Sequence, residues 1–219
     1  MDVIIVSKTH MHSSSCVGGV LANGRSVRLL DSHGHNQGID TPLNIGDVWT
    51  IEFEERAHRH PPHVEDVLVT RMDFKSKFPT ISAMVVYLKE KSKIKIWEGS
   101  PDILFDNKIQ WTTGGSGYIS ETGEMPDNSI GFWIPDKDLT RKDYEDKVKF
   151  TYASDKIELV PGFVSTKVRR TWRTIPYVGF QTPVDLIPAG TLVRVSLARW
   201  WTPNEDEERC YLQLSGWYL

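Results

Sequence analysis

The sequence predicts a mainly β protein of two β-rich units with one amphipathic helix between them, and three observations carry that prediction. Short alternating or β-branched runs recur along the chain, separated by Gly, Pro, Asn and Asp. One stretch alone, 81–91, spaces its apolar residues as a helix does. The last thirty residues, 190–219, read as two long strands and hold the densest aromatic content of the chain.

At 219 residues, 39% hydrophobic and 25% charged, with eight tryptophans, the chain can bury a sizeable core and is neither disordered nor fibrous. A net charge of −3 argues against polyanion binding by the whole surface, though it leaves room for a local basic stripe. The cysteines, Cys16 and Cys210, are too few and too far apart for a disulfide framework or a Cys-based zinc finger. The apolar run at 1–6 is too short for a signal-peptide core and follows no basic segment. No run reaches membrane-spanning length, so no membrane partner is expected and the expected location is the cytoplasm.

In order, 3–7 is a β-branched run and a candidate buried first strand. Residues 16–30 read as a hairpin about Asn23-Gly24, because both turn residues tolerate positive φ. A polar loop at 31–38 follows, then a cleanly alternating strand at 48–54 and another at 64–69 beyond Pro61-Pro62. This succession predicts a small barrel. Ile81, Met84, Val85 and Leu88 stand at i, i+3, i+4 and i+7 behind Thr80 as N-cap, which predicts the helix. A second, shorter helix is expected from Ser100-Pro101-Asp102, with serine capping and proline in the first position. Residues 107–135 read as loops and short extended pieces holding Trp111, Tyr118, Phe132 and Trp133. Residues 147–153 and 156–160 read as a hairpin about Ser154-Asp155, 175–181 as a further strand and 183–189 as a connection. The closing pair is 190–201 and 209–219, joined by the acidic stretch 202–208.

Several of these runs together resemble a known family. They are Val-Ser-Lys-Thr-His10, Cys-Val-Gly-Gly19, Arg-Ser-Val-Arg-Leu-Leu30, Ile-Gly-Asp-Val-Trp49, Pro-Pro-His-Val-Glu-Asp66, Gly-Phe-Trp-Ile-Pro135, Ser-Leu-Ala-Arg-Trp-Trp201 and Arg-Cys-Tyr-Leu-Gln-Leu-Ser-Gly-Trp-Tyr218. The chain is similar over nearly its whole length to a prokaryotic dual OB-containing domain family. The resemblance implies two OB-like barrels, 1–93 with the helix and 94–219 with an aromatic-rich insertion. It further implies nucleic-acid or nucleotide binding, as an accessory or sensor component in prokaryotic defence against mobile elements. It supplies no catalytic residues.

Five constellations are candidates for chemistry. His10, His12 and Cys16 lie within seven residues, and imidazole and thiolate are good zinc ligands, although the spacing matches no closed zinc motif and loop histidines are more often solvated. In 167–173 an extended chain puts Lys167, Arg169 and Arg173 on one face, with Arg170 and Trp172 opposite; this reads either as a phosphate track or as a charged solvent loop. Arg194, Arg199, Trp200 and Tyr211 mix guanidinium groups with flat rings, the combination that neutralises phosphates and stacks bases, though strand-borne rings are more often core. The loop 114–118 is glycine-rich but lacks the Gly-Lys-Ser/Thr of a P-loop. Lys8, His10, Asp31, Glu65 and Asp66 are acid, base or nucleophile candidates with no informative spacing, so catalytic residues stay unknown and an enzyme is the less expected class. The expected function is a nucleic-acid or nucleotide binding module without a cofactor. The alternatives are a subunit docking a larger protein partner, and a zinc-dependent enzyme using the histidines.

Overall fold

The computed structural model describes residues 1–145, 147–159, 166–203 and 207–219, with the backbone alone for 155–159 and 166–170. The first strands are β1 (Asp2–Met11), β2 (Ser14–Leu21), β3 (Ser26–Leu30), the two-residue β4 (Gln37–Gly38), β5 (Asp47–Glu55) and β6 (Asp66–Lys77). Five of them close a ring in the order β1-β2-β3-β6-β5-β1, every pairing antiparallel except β3 with β6. That order, with its single parallel join, is the Greek-key barrel of OB folds.

Local chemistry explains the parts. Gly24 takes φ +87° in the Asn23-Gly24 turn between β2 and β3, a conformation open to glycine. The apolar run at the start of β1 is continuous because both its faces are covered. Val3 and Ile5 point into the barrel with Val17, Leu29, Ile51 and Val67, while Ile4 and Val6 point outward into a second cluster. Register shifts, with the extra residues Val6 in β1 and Thr70 and Lys75 in β6, mark the bulges that let long strands bend round so small a barrel.

Helix α1 (Ile81–Glu90) starts where expected, with Thr80 Oγ1 accepting from Ala83 N at 3.0 Å. Its Met84 and Leu88 are fully buried in the outer cluster. Beyond it run β7 (Ile96–Gly99), a 3-10 turn at Pro101–Ile103 and α2 (Leu104–Asn107). Here the expected short helix begins at Pro101 with proline in the first position, but as a 3-10 turn: Ser100 makes no capping hydrogen bond, and Phe105, Asp106 and Asn107 are left-handed. Side chains impose that geometry. Phe105 is buried, and the Asp106 carboxylate is held by Lys95 and by Trp97 Nε1, the latter at 3.0 Å.

The remaining strands are β8 (Gln110–Trp111), β9 (Gly117–Ser120), β10 (Ile130–Pro135), β11 (Leu139–Tyr144), β12 (Lys147–Leu159), β13 (Thr166–Pro176), β14 (Leu186–Ile187), β15 (Leu192–Leu197) and β16 (Arg209–Tyr218). They form a curled half-barrel that repeats the first ring's order. β10 and β11 together serve as first strand: β11 pairs with β12, β12 with β13, β16 with β15, and β15 with β10. A parallel bridge from Tyr177 to Leu214 joins the β13 side to β16, matching the parallel join of the first ring. Trp133, Phe150, Tyr152, Ile175, Val195, Leu214 and Trp217 fill the interior.

The hairpin expected about Ser154-Asp155 does not form. β12 runs straight through these residues, Ser154 facing Thr171 and Asp155 facing Arg170. A Ser-Asp pair without glycine lacks the positive-φ residue that a tight two-residue turn needs, and β13 supplies ladder partners on both sides of it. Val160, the expected end of that hairpin, lies outside the described residues, as does 204–206 of the acidic connection. Among the described residues no helix is long and apolar enough to cross a membrane.

Candidate nucleic-acid interface

Alternation along β15 and β16 sends Val193, Val195, Leu212 and Leu214 into the half-barrel core. The opposite face carries Arg194, Ser196, Arg209, Tyr211, Gln213 and Ser215, and it lies over the outer face of β1, β2 and β3. Between the two faces is a cavity of about 200 Å³, lined from the first barrel by Ser7, Thr9, Cys16 and Arg28 and from the second half by Arg194, Arg199 and Gln213. In OB folds the face of strands 2 and 3, with the 1–2 and 4–5 loops, is the ligand face. In this chain that face is covered by the other half.

Two bulges flank the cavity. Between Ile5 and Ser7 of β1, Val6 is the extra residue, and in β16 it is Ser215, because Arg194 pairs with Gly216 and Val195 with Leu214. Such bulges re-aim side chains next to sites. Here they bring Ser7 and Ser215 to the cavity, with Ser215 Oγ 2.6 Å from Ser196 Oγ. Gly18 makes the close approach possible: a Cβ there would fall 2.4 Å from Ser7 Oγ and 2.5 Å from Arg194 Nη2.

The charges are unevenly matched. Asp66, buried, accepts from Arg28, from Arg56 at 2.8 Å and from Arg199 at 3.2 Å. Glu65, also buried, accepts from the backbone N–H and the hydroxyl of Ser129, at 2.5 and 2.8 Å; burial pushes its carboxyl above the usual carboxylate range. Arg194 is only 2% exposed, and burial lowers its proton affinity from the ordinary guanidinium value, though an arginine stays charged. Its Cζ lies 5.5 Å from the Phe132 ring, and its Nη1 has no hydrogen-bond partner among the described residues.

Two residues from Gln213 on the same face, Tyr211 sits between Tyr118 and Trp201, each ring centroid 6.0 Å away. Arg209 stacks 4.5 Å over Tyr118 and ion-pairs with Glu207 at 3.0 Å. Trp201 is 58% exposed. The result is a cation-edged ring platform beside the cavity mouth.

The sequence-derived candidates divide accordingly. Arg194, Arg199 and Tyr211 meet on this face. Trp200 bridges the halves instead, its Nε1 donating to Pro61 O at 2.9 Å. Arg173 lies on β13, stacked 4.4 Å over Trp111 and paired with Asp102 at 3.2 Å, and the neighbouring Trp172 is exposed. Lys167, Arg169 and Arg170 stand in β13 opposite Glu158, Lys156 and Asp155; their side chains lie outside the described residues. Sequence reasoning missed the roles of Gly18, Arg28 and Ser129. Two adjacent glycines inside a strand, Gly18 and Gly19, were the available signal of a close approach.

The metal candidates are not brought together. Cys16 pairs with Thr9 and faces the cavity, whereas His10, one residue on, faces the opposite way and stacks on Phe180 at 3.6 Å. His12 is an exposed turn residue with φ +52°. Among the described residues no group of three or more His, Cys, Asp or Glu is placed to hold a metal ion. The acid-base candidates are likewise dispersed: Lys8 donates to Thr41 O, and Asp31 accepts from the backbone of His33 and His35. His63, 2% exposed, does meet Cys210, Nε2 to Sγ at 3.8 Å. Burial drives the imidazole down to about 4, aided by the Arg28 charge, and the thiol up to about 12, so the pair is neutral and not a nucleophile. The glycine-rich loop leads into β9, not a helix, and Gly115 O accepts from Thr174 N at 2.8 Å.

A larger cavity of about 350 Å³ lies near Trp97, but its cations are satisfied, Arg25 by Glu55 and Lys95 by Asp106. Compared with known proteins, residues 1–217 match the family model described as a dual OB-containing domain. No curated protein and no solved structure matches the chain.

Proposed function

The chain belongs to the dual OB-containing domain family, and from that premise we propose that it is a nucleic-acid- or nucleotide-binding module whose ligand lies along the outer face of β15 and β16. One observation supports this above others. That face runs without a break from an arginine-lined cavity, through Gln213, to the platform of Tyr211, Tyr118 and Trp201 edged by Arg209. Bases stack on Tyr211 and Trp201 while Arg199 and Arg209 neutralise phosphates. A second track along β13, with Arg173 and Trp172 and with Lys167, Arg169 and Arg170, belongs to the same proposal.

The test is fluorescence anisotropy with labelled oligothymidylate across a salt series. Affinity should fall as salt rises, and Trp201→Ala should weaken binding about 10- to 100-fold, the usual worth of one stacked base. Replacing Arg169, Arg170 and Arg173 with Ala should flatten the salt dependence; unchanged affinity in a folded variant removes β13 from the site. No binding to single strands or mononucleotides at low salt would sink the reading. In that case the exposed rings of Trp172 and Trp201 would fit a protein partner better, seen as salt-insensitive association.

A further inference from the structure

We propose that the cavity between β1–β3 and β15–β16 is a phosphate subsite that takes a phosphomonoester dianion, carried by a nucleoside monophosphate or by the phosphorylated end of a strand. The inference rests on the nucleotide reading above for what the phosphate is attached to, and on local chemistry for the anion itself.

The charge balance comes first. Four guanidinium groups, those of Arg28, Arg56, Arg194 and Arg199, gather about two carboxylates. Asp66 is shared among three of them, and both oxygens of Glu65 are occupied by Ser129. Arg194, held in the interior, ion-pairs with no carboxylate among the described residues: Glu65, whose charge acts on it across the same cavity, has its oxygens taken by Ser129, and Arg194 Nη1 has no acceptor there. An uncompensated charge away from water is costly, and an arginine cannot shed its proton to escape that cost. A bound dianion meets the surplus and supplies the missing acceptor. Guanidinium groups suit phosphate oxygens because their forked N–H groups can bind two at once.

Shape points the same way. Ser7, Ser196 and Ser215 line the cavity, and two of them are brought there by bulges, one from each half. Gly18 leaves the space in which the Arg194 head lies. At about 200 Å³ the cavity has room for about seven waters at ~30 Å³ each. That admits one phosphoryl group with part of its sugar, not a strand passing through. The neighbouring rings of Tyr211 and Trp201 are then placed to take the attached base.

Isothermal titration with inorganic phosphate tests the anion site directly. The unmodified protein should bind it, and Arg194→Met and Arg199→Gln should each weaken binding tenfold or more. Arg199 is half-exposed, so its variant keeps the test decisive if Arg194→Met does not fold. Oligothymidylates with a 5′-phosphate or a 5′-hydroxyl, and thymidine monophosphate beside thymidine, then separate the two sources. A tenfold preference for the phosphorylated oligomer identifies a strand end, and the same preference in the monomer identifies a free nucleotide; in either case the ratio should collapse towards one in Arg199→Gln. Equal affinity with and without the phosphate, in both pairs, overturns the subsite while leaving the binding reading intact. Phosphate binding that depends on Arg199, with no affinity for any oligomer or nucleotide, overturns the nucleotide assignment and the binding reading together.

Discussion

His63 loses its usual chemistry by being enclosed. Its ring faces Cys210 and feels Arg28, Asp66 and His60, and its pKa falls from 6.5 to about 4. A histidine that takes up its proton less readily in the folded chain contributes stability fully present above pH 6.5 and lost as pH falls towards 4. The loss amounts to about 3 kcal/mol. Glu65 acts in the opposite sense: its raised pKa gives stability that is present at low pH and lost as pH rises through its folded value. Urea unfolding of the wild type and His63→Gln at pH 7, 5.5 and 4.5 separates the two, since Glu65 is common to both. The wild type should lose its advantage stepwise; a constant difference across the series would contradict the assignment. At this scale the sequence revealed the residue types of the site but not their surroundings. Arg194 alternates with Val193 and Val195, which places it off the half-barrel core, and nothing local says that a second barrel then covers that side. Trp200 was legible as an aromatic beside arginines, yet its hydrogen bond to Pro61 is set by a loop far away in the chain.

Elements with a complete local code were the readable ones. The helix at Ile81–Glu90 has its period, its cap and a buried stripe in Met84 and Leu88, and the hairpin of β2 and β3 has its Asn-Gly turn. Thr80→Ala removes the acceptor for Ala83 N and should cost about 1 kcal/mol, while Thr80→Ser should cost much less. Urea midpoints of the three proteins measure this, and equal midpoints would show that the cap contributes nothing. Where local signals were incomplete, tertiary partners decided the outcome. β12 continues through Ser154-Asp155 because β13 pairs with it along its length, and the Ser100 start gives only a 3-10 turn because Phe105 and Asp106 are anchored elsewhere.

For the whole molecule, the telling feature is the cluster that belongs to neither ring alone. Ile4, Val6 and Val20 of the first barrel, Met84 and Leu88 of the helix, and Phe132, Leu192 and Tyr218 of the later strands share one buried interior. Each large apolar side chain left uncovered forfeits about 1.5–3 kcal/mol. The intact chain should therefore unfold in a single calorimetric transition, and the fragment 1–93 should be markedly less stable than the same residues within it. Two well-separated transitions, or a fragment as stable as the whole, would show the halves to be energetically independent. The dual barrel order is only weakly legible from local patterns, since its defining parallel joins, β3 with β6 and Tyr177 with Leu214, link segments distant in sequence.

The Tyr218 hydroxyl donates to the carbonyl of Val6, across 212 positions of chain. A ribosome making this protein therefore releases the first barrel long before the strand that roofs it, and Ile4, Val6 and Val20 wait uncovered meanwhile. Translation halted anywhere short of β15 yields a product with one wall of the arginine-lined chamber and not the other.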